Sequence, residues 1–296
     1  MSVKIEWTVS AKENGMLLRE FLRKEKMISK VALAAVKFNG GQILVNGQET
    51  TVRTVVQTED VITVIFPPEQ KSPSLVSEHL PFVIIYEDEH FIVINKAPGM
   101  ATIPSREHPT GTLANAIIGY YETKGIQSTF HAVNRLDKDT SGILLVAKHR
   151  YVHDLLTKEQ KKGLVKRTYV AVVHGQLNQL DFTIDAPIGR KEGSIIEREV
   201  REDGQQAITH VKILEQLEDR TMVEIQLETG RTHQIRVHLS YKGHPLLGDD
   251  LYGGSVEEIS RQALHSKRMS FYHPFLHKEI LLTAPIPEDI KRAMNR

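Results

Sequence analysis

Residues 131–148 read His-Ala-Val-Asn-Arg-Leu-Asp-Lys-Asp-Thr-Ser-Gly-Ile-Leu-Leu-Val-Ala-Lys, a polar run that ends in Thr-Ser-Gly and continues into five apolar residues. This pattern is typical of a functional loop that enters a buried strand. Asp137 is the candidate functional residue. A cation two positions earlier, hydroxyls three and four positions later and a glycine that lets backbone approach closely could hold its carboxylate ionised and oriented. The alternative is an Asx-type turn in front of a strand.

Three segments carry a resemblance to one enzyme family. Residues 135–142 resemble the Arg-Leu-Asp-x-x-Thr-Ser-Gly signature of the RluA-type pseudouridine synthases, in which the aspartate is catalytic. Residues 227–239, Leu-Glu-Thr-Gly-Arg-Thr-His-Gln-Ile-Arg-Val-His-Leu, are similar to the family's Gly-Arg-x-His-Gln-Ile-Arg-x-His element. Residues 96–100, Lys-Ala-Pro-Gly-Met, resemble its Lys-Pro-x-Gly element with the proline displaced by one position, although a plain proline-glycine turn would look the same. The chain departs from the family at Asn134, where the family usually has histidine.

The resemblance assigns catalytic roles to three residues. Asp137 would attack or deprotonate the nucleoside. Arg231 is the expected partner of Asp137, because an arginine beside the carboxylate favours its ionised form and fixes its direction; an arginine that caps a helix is the alternative. Tyr169 matches the family tyrosine that packs against the target base, and an aromatic ring beside basic residues suits stacking on an extruded base. Core packing of a strand tyrosine is the alternative.

Basic residues are the candidate RNA contacts. Arg135 lies two positions before Asp137, which in an extended loop places both side chains on the same side. Its guanidinium could occupy the position that an extruded base leaves, and an ion pair with Asp139 is the alternative. The other candidates lie in local basic stretches, for which a solvated helix face is the commoner explanation. They are Arg19, Arg23, Lys24, Lys166, Arg167 and Arg236.

Composition narrows the class of protein. The formal net charge is 38 − 37 = +1, which by itself favours no partner, and the chain has no cysteine, which excludes disulfides and thiolate chemistry. His233 and His238 are five positions apart and not four, the spacing that aligns two ligands on one helical face, so we expect no metal site. The sequence shows no nucleotide-cofactor loop, and we expect no cofactor. No apolar run reaches membrane-spanning length, and we expect a cytoplasmic monomer.

The pattern of elements predicts an α+β protein with two domains, with a hairpin turn at Asn46-Gly47 in the first and a loop at residues 185–190 in the second. Residues 1–70 resemble the small RNA-binding domain named after the fourth protein of the ribosomal small subunit. Residues 71–80 form a linker that begins in a proline- and serine-rich stretch, and residues 81–296 form a catalytic domain with a mainly antiparallel mixed sheet and flanking helices. The expected function is isomerisation of uridine in structured RNA, with ribosomal RNA of the large subunit favoured and transfer RNA possible. The alternative is a non-catalytic RNA-binding or ribosome-assembly protein.

Overall fold

The structure is a computed structural model that describes residues 3–69 and 71–295. Residues 1, 2, 70 and 296 lie outside the described residues, and Gln70 belongs to the stretch that opens the predicted linker. The described chain forms a four-stranded sheet, a ten-stranded sheet and a two-stranded ribbon. The predicted α+β class and the mainly antiparallel sheet are confirmed. Within the described ranges, every helix is too short or too polar to cross a membrane.

The small sheet is antiparallel, with the strand order β1-β4-β2-β3. Its strands are β1 (Lys4–Thr8), β2 (Gln42–Val45), β3 (Gln48–Glu49) and β4 (Val61–Ile65). Asn46 and Gly47 join β2 to β3 with φ angles of 52° and 80°. A two-residue hairpin turn requires these left-handed conformations, so the predicted Asn-Gly turn is confirmed.

Two helices cover the small sheet. Helix α1 (Leu18–Glu20) continues into a π-helical turn (Phe21–Glu25), and α2 (Lys30–Phe38) begins after Ser29, whose Oγ accepts a hydrogen bond from the Ala32 amide at 3.2 Å. A serine at this position stabilises a helix start, since it pairs one of the amides that have no partner within the helix. The apolar faces of both helices are buried against the sheet.

The large sheet has the order β10-β13-β14-β9-β15-β8-β6-β5, with β16 paired to β15 and β7 paired to β8. Strand β8 is buried along its whole length, so both of its faces are covered, as the apolar run predicted. The remaining strands are β5 (Val83–Glu87), β6 (Phe91–Lys96), β7 (His131–Ala132), β8 (Ser141–Ala147), β9 (Lys166–His174), β10 (Asp181–Asp185), β11 (Ile188–Arg190), β12 (Arg198–Val200), β13 (Ile208–Gln216), β14 (Arg220–Leu227), β15 (Leu264–His273) and β16 (Lys278–Thr283). The remaining helices are α3 (Leu113–Lys124), α4 (Arg150–Lys161), α5 (Gln234–Tyr241) and α6 (Glu288–Met294).

One segment differs from the sequence prediction. Residues 185–190 were expected to form a loop, but β11 pairs with β12 as the two-stranded ribbon. Ile188 is buried with Val237 of α5, and this tertiary contact, which local sequence does not show, explains why the segment is extended and ordered.

Helix α4 contacts the core of the small sheet. Tyr151 is buried in the same apolar cluster as the core of the small sheet, and its ring stacks on Phe66 with centroids 5.3 Å apart. Lys158 donates a hydrogen bond to the Met27 carbonyl at 2.8 Å. The small sheet is therefore packed against α4.

Candidate active site

Asp137 lies in the loop between β7 and β8, at the wall of a cleft of about 670 Å³. Its side chain is 28% exposed, so a ligand in the cleft can reach it. Five cations line the same cleft, and Asp137 is the single acid among the described residues that do so. The cations are Arg135, Lys138, Arg167, Arg198 and Arg231. A cleft with this charge distribution suits an anionic ligand.

The loop that carries Asp137 is held by its backbone carbonyls. Thr102 Oγ1 donates to the Leu136 carbonyl at 2.7 Å, and Arg261 Nη1 donates to the Asp139 carbonyl at 3.0 Å. Between them, Lys96 Nζ donates to the Lys138 carbonyl at 2.8 Å. The donors come from residues 96–102 and from Arg261, two parts of the chain that are distant from the loop in sequence, so tertiary structure fixes the direction of Asp137 before any ligand binds.

Lys96 belongs to the predicted Lys-Ala-Pro-Gly-Met element and is 1% exposed. Its Nζ also donates to the carbonyls of Ala97 and Met100, at 2.8 and 2.9 Å. Burial lowers the pKa of Lys96 to about 7, although the nearby Asp139 and Asp137 act in the opposite direction. The element therefore forms a turn, and its lysine holds the loop of Asp137 by a hydrogen bond to the Lys138 carbonyl.

The polar residues after Asp137 hold β8 to β15. Gly142 has a φ of 109°, and a Cβ there would lie 2.2 Å from the Ser266 carbonyl oxygen, so the predicted close backbone approach is confirmed. The expectation that the two hydroxyls hold the Asp137 carboxylate is wrong. Thr140 Oγ1 accepts from Gln262 at 3.2 Å, and Ser141 Oγ lies 2.9 Å from Nδ1 of His265.

Arg236, and not Arg231, pairs with Asp137. Arg236 Nη1 lies 3.3 Å from Asp137 Oδ2, while its Nε and Nη2 donate to the two oxygens of Asp249 at 2.7 Å each. Burial opposes the charge, but the bonds to Asp249 and the field of Asp137 raise the pKa of Arg236. The Asp137 side chain is therefore directed by a buried, permanently charged guanidinium, and the Asx-type alternative does not describe it.

Arg231 lies in the turn before α5, on the same cleft as Asp137. It is exposed; its Nε donates to the Gln206 carbonyl and its backbone amide donates to Gln234 Oε1, both at 2.9 Å. The predicted Arg231–Asp137 pair was wrong because Arg231 precedes the helix, whereas Arg236 lies within α5 and is 7% exposed. The same burial makes the predicted RNA contact of Arg236 wrong, since carboxylates occupy its guanidinium.

Tyr169 and Arg135 lie on opposite elements of the cleft. Tyr169 is on β9, 4% exposed, and lines the cleft together with Asp137. Arg135 is exposed on the loop, two positions before Asp137, and lines the same space. Among the described residues, Arg135 has no ion pair with Asp139 or any other acid, so that alternative is not observed. Their predicted roles in stacking and base extrusion stay predictions.

The two histidines of the second motif have separate partners. His233 has a left-handed backbone, with φ 57°, and its Nδ1 lies 2.8 Å from the Tyr252 hydroxyl while its Nε2 lies 3.9 Å from Asp137 Oδ2. Burial lowers the pKa of His233 despite this carboxylate. His238 is buried between Thr209 and the Ala186 carbonyl. Of these two, His233 is therefore the neighbour of Asp137, which the spacing of the histidines in the sequence did not indicate.

The other predicted RNA contacts lie in two places, on the first helix of the small sheet and at the start of β9. Arg19, Arg23 and Lys24 are exposed on the first helix of the small sheet, outside the lining of the cleft. Lys166 is exposed at the start of β9, and Arg167 beside it is 7% exposed with a buried Nε that has no acceptor within the described chain.

Asn134, where the family usually has histidine, is a structural residue of the loop. Its Oδ1 accepts from the Leu145 amide at 2.9 Å and its Nδ2 donates to the Ile143 carbonyl at 3.4 Å. These bonds fasten the start of the loop to β8. The residue that departs from the family pattern therefore has a structural role, because Asn134 holds the Asp137 loop to β8.

The sequence comparisons agree on one family, and a solved structure shows the same fold. The model of the RNA pseudouridylate synthase family matches residues 90–241. The uncharacterized RNA pseudouridine synthase YjbO of Bacillus subtilis is 55% identical over 90% of this chain and 94% of its own length. Ribosomal large subunit pseudouridine synthase D of Xanthomonas campestris is 35% identical over 86% of this chain and 81% of its own. The solved structure of human RNA pseudouridylate synthase domain containing 1 has the same fold, with a TM-score of 0.58 and 24% identity over 71% of this chain and 85% of that chain.

Proposed function

The chain belongs to the RluA-type family of RNA pseudouridine synthases, and on that premise we propose that Asp137 acts on uridines of large-subunit ribosomal RNA. An RNA pseudouridine synthase breaks the bond between the ribose C1′ and the uracil N1, turns the base and joins C1′ to C5. The proton on C5 leaves and N1 gains one, so nothing is oxidised and no group is lost. The protein must supply a reactive carboxylate, a support for the detached base and contacts to phosphate.

The single observation that carries the proposal is the cleft in which five cations surround one carboxylate. The cations can neutralise the phosphates beside the target nucleotide, and Asp137 is the acid that a nucleoside in the cleft would meet. Within the proposal, Asp137 has one of two roles. It either attacks the sugar as a nucleophile or removes a proton from the sugar as a general base. Arg236 pairs with the Asp137 carboxylate and fixes its orientation at the cleft wall.

Tyr169 and Arg135 complete the proposed chemistry. A uridine stacked in folded RNA must leave its stack before Asp137 can reach it, at a cost of a few kcal/mol. The flat ring of Tyr169 at the cleft wall supports the base once it is out. The exposed guanidinium of Arg135 enters the space that the base leaves and meets the backbone there.

The choice of RNA and the division of the chain belong to the same proposal. The name of the Xanthomonas relative refers to the large ribosomal subunit, which favours that RNA over transfer RNA. We assign residues 1–70 to an RNA-binding unit, with Arg19, Arg23 and Lys24 as its phosphate contacts, residues 71–80 to a linker and residues 81–296 to the catalytic unit. A monomer that works in the cytoplasm completes the assignment.

The test is a map of pseudouridine in total RNA. RNA from a strain that lacks the protein is incubated with wild-type protein or the Asp137→Asn variant, and pseudouridine-specific adducts are sequenced. We expect new pseudouridines in large-subunit RNA with wild type and none with the variant, a loss of at least about 10⁴-fold in rate. The variant should fold and bind RNA as wild type does. New sites with the variant at more than a few per cent of the wild-type rate would contradict the role of Asp137, and sites confined to transfer RNA would contradict the assigned substrate.

A further inference from the structure

A second groove, of about 600 Å³, begins where the cleft ends. It is formed by the end of α4, the start of β9 and parts of β14 and β15, and we call it the basic groove. Its cations are Lys161, Lys162, Lys166, Arg167 and Arg268, and Glu228 is the single acid among the described residues that line it. Glu228 Oε1 lies 2.7 Å from Nε2 of His210, so a side chain of the groove wall already contacts this carboxylate.

Most cations of the basic groove have no carboxylate partner. Lys162 pairs with Glu159 at 3.0 Å. In residues 3–69 and 71–295, the side chains of Lys161, Lys166 and Arg268 make neither an ion pair nor a hydrogen bond. Arg167 is more unusual, because its side chain is buried and its Nε has no acceptor in that part of the chain. A buried guanidinium nitrogen without an acceptor is costly, and within the described chain the other cations of the groove apart from Lys162 have no carboxylate partner, so this arrangement indicates an anion that is supplied from outside.

The basic groove shares part of its wall with the cleft, at the start of β9, where Arg167 and Tyr169 project on one face of the sheet and Lys166 and Thr168 on the other. Arg167 and Leu227 line both spaces, at the end of the sheet where β9 begins and β14 stops. Beyond that point, Thr168 pairs with Gln226 on one side and with Arg268 on the other, and directly paired side chains share a face of the sheet. Lys166, two residues from Thr168, projects on that face as well. The floor of the groove therefore crosses neighbouring strands spaced by about 4.8 Å.

We propose that the basic groove binds the phosphate backbone of the RNA on one side of the target uridine, with the exposed Lys166 and the half-buried Arg268 as its main contacts. This inference rests on the proposed function. A target nucleotide within a polymer has a strand that leaves the active site in each direction, and the shared wall at Arg167 is a charged exit from the cleft. The substrate is then an RNA that offers several nucleotides of accessible backbone beside the modified uridine, and the groove raises its affinity without touching the reacting atoms.

The experiment measures binding of two labelled oligouridylates, U5 and U15, as a function of salt. U5 can fill the cleft, whereas U15 can extend into the groove. The test variant is Lys166→Gln/Arg268→Gln. Lys166 is exposed and Arg268 is half-buried. The matched control is Lys278→Gln/Arg292→Gln, which removes the same charges from exposed positions outside both spaces. Folding of each variant is checked by its thermal melting.

For wild type we expect U15 to bind more tightly than U5, with a steeper dependence of log K on log salt. The groove variant should weaken U15 about tenfold and reduce its slope by about 1.4, or about 0.7 for each lost phosphate contact on a single strand. U5 binding should stay as in wild type, and the control variant should behave as wild type with both probes.

Three results would overturn the proposal. One is a groove variant with the wild-type U15 affinity and slope, and the second is an equal loss in the control variant. The third is a groove variant that loses affinity for poly-glutamate while it keeps U15, which would assign the groove to an acidic protein. Failure of the proposed function is a separate observation, namely wild-type protein that binds U15 in this way but forms no pseudouridine in RNA.

Discussion

The arginines beneath the Asp137 loop and the arginines around the cleft differ in what their charges meet. Arg236 and Arg261 are buried, and each makes two short bonds to one carboxylate, Asp249 or Asp289, at 2.7 to 3.0 Å. In the described part of the chain, Arg135 and Arg167 have no such partner. The charges of Arg236 and Arg261 are therefore compensated without a ligand. The charges of Arg135 and Arg167 can attract an anionic ligand.

This difference separates two tasks that one residue type performs. A paired guanidinium is rigid, because the planar fork matches a carboxylate in one orientation, and it can orient Asp137 and the loop carbonyls. An unpaired guanidinium at a cleft keeps its Coulomb attraction for phosphate. We therefore expect substitutions of the paired set to lower the rate of the chemical step, and substitutions of the unpaired set to lower RNA affinity or access.

The largest expected effect in the paired set is that of Arg236→Met. It removes the cation that directs Asp137 and leaves Asp249, which is 1% exposed, as an uncompensated buried charge. We expect kcat to fall about 100-fold or more with RNA affinity changed less than threefold, and the free energy of unfolding to fall by about 3 to 5 kcal/mol. Single-turnover rates and urea unfolding measure both quantities.

The control for this variant is Arg236→Met/Asp249→Leu, which removes both buried charges. It should recover most of the lost stability, since no unpaired charge remains, while the rate stays low because Asp137 still has no cation. Recovery of the rate together with the stability would show that Arg236 acts only by stabilising the fold.

An intermediate effect is expected for Arg135→Ala in the unpaired set. The variant should lose about 10- to 100-fold in turnover of a stem-loop that holds the target uridine, because extrusion from a stack costs a few kcal/mol. On a short unstructured oligonucleotide with the same uridine the loss should be much smaller. Arg292→Ala, an exposed arginine outside the lining of the cleft and of the basic groove, is the control. Equal losses on both RNAs would place Arg135 in the chemistry and not in extrusion.

The smallest expected effect is that of Lys96 on the way the free energy of unfolding changes with pH. Burial lowers the pKa of Lys96 to about 7 from the ordinary value of 10.5, so between these values the unfolded chain holds more protons than the folded one. The free energy of unfolding should therefore rise with pH across this window. The measurement is the difference between wild type and Lys96→Met in urea unfolding at pH 7, 8 and 9. A difference that stays constant or falls with pH would contradict the lowered pKa.

Sequence reasoning recovered the elements but not every pairing. The run of apolar residues in β8 and the Asn46–Gly47 turn are local signals, and both were predicted. The partner of Asp137 is not a local property, because Arg231 and Arg236 lie in one motif and only the start of α5 at Gln234 decides which of them is buried. A sign was present in the Gly-Asp-Asp of residues 248–250, since a buried arginine needs a carboxylate such as Asp249.

The supports of the Asp137 loop were missed for the same reason. Lys96, Thr102 and Arg261 lie 42, 34 and 122 positions from the carbonyls that they hold. Their donors act on backbone atoms, which carry no sequence signal of their own. Contacts of this kind follow from the closing of the large sheet, whose order places residues distant in sequence side by side.

The most direct test of the division between paired and unpaired cations is one single-turnover series on one RNA. The rate at saturating enzyme and the enzyme concentration for half-maximal rate are measured for wild type, Arg236→Met and Lys166→Gln/Arg268→Gln, with large-subunit RNA from the strain that lacks the protein. We predict that Arg236→Met lowers the saturating rate about 100-fold and leaves the half-maximal concentration unchanged. The groove variant should raise that concentration about tenfold and leave the saturating rate unchanged. If both variants changed the same quantity, the two sets of cations would not have separate tasks and the account would be contradicted.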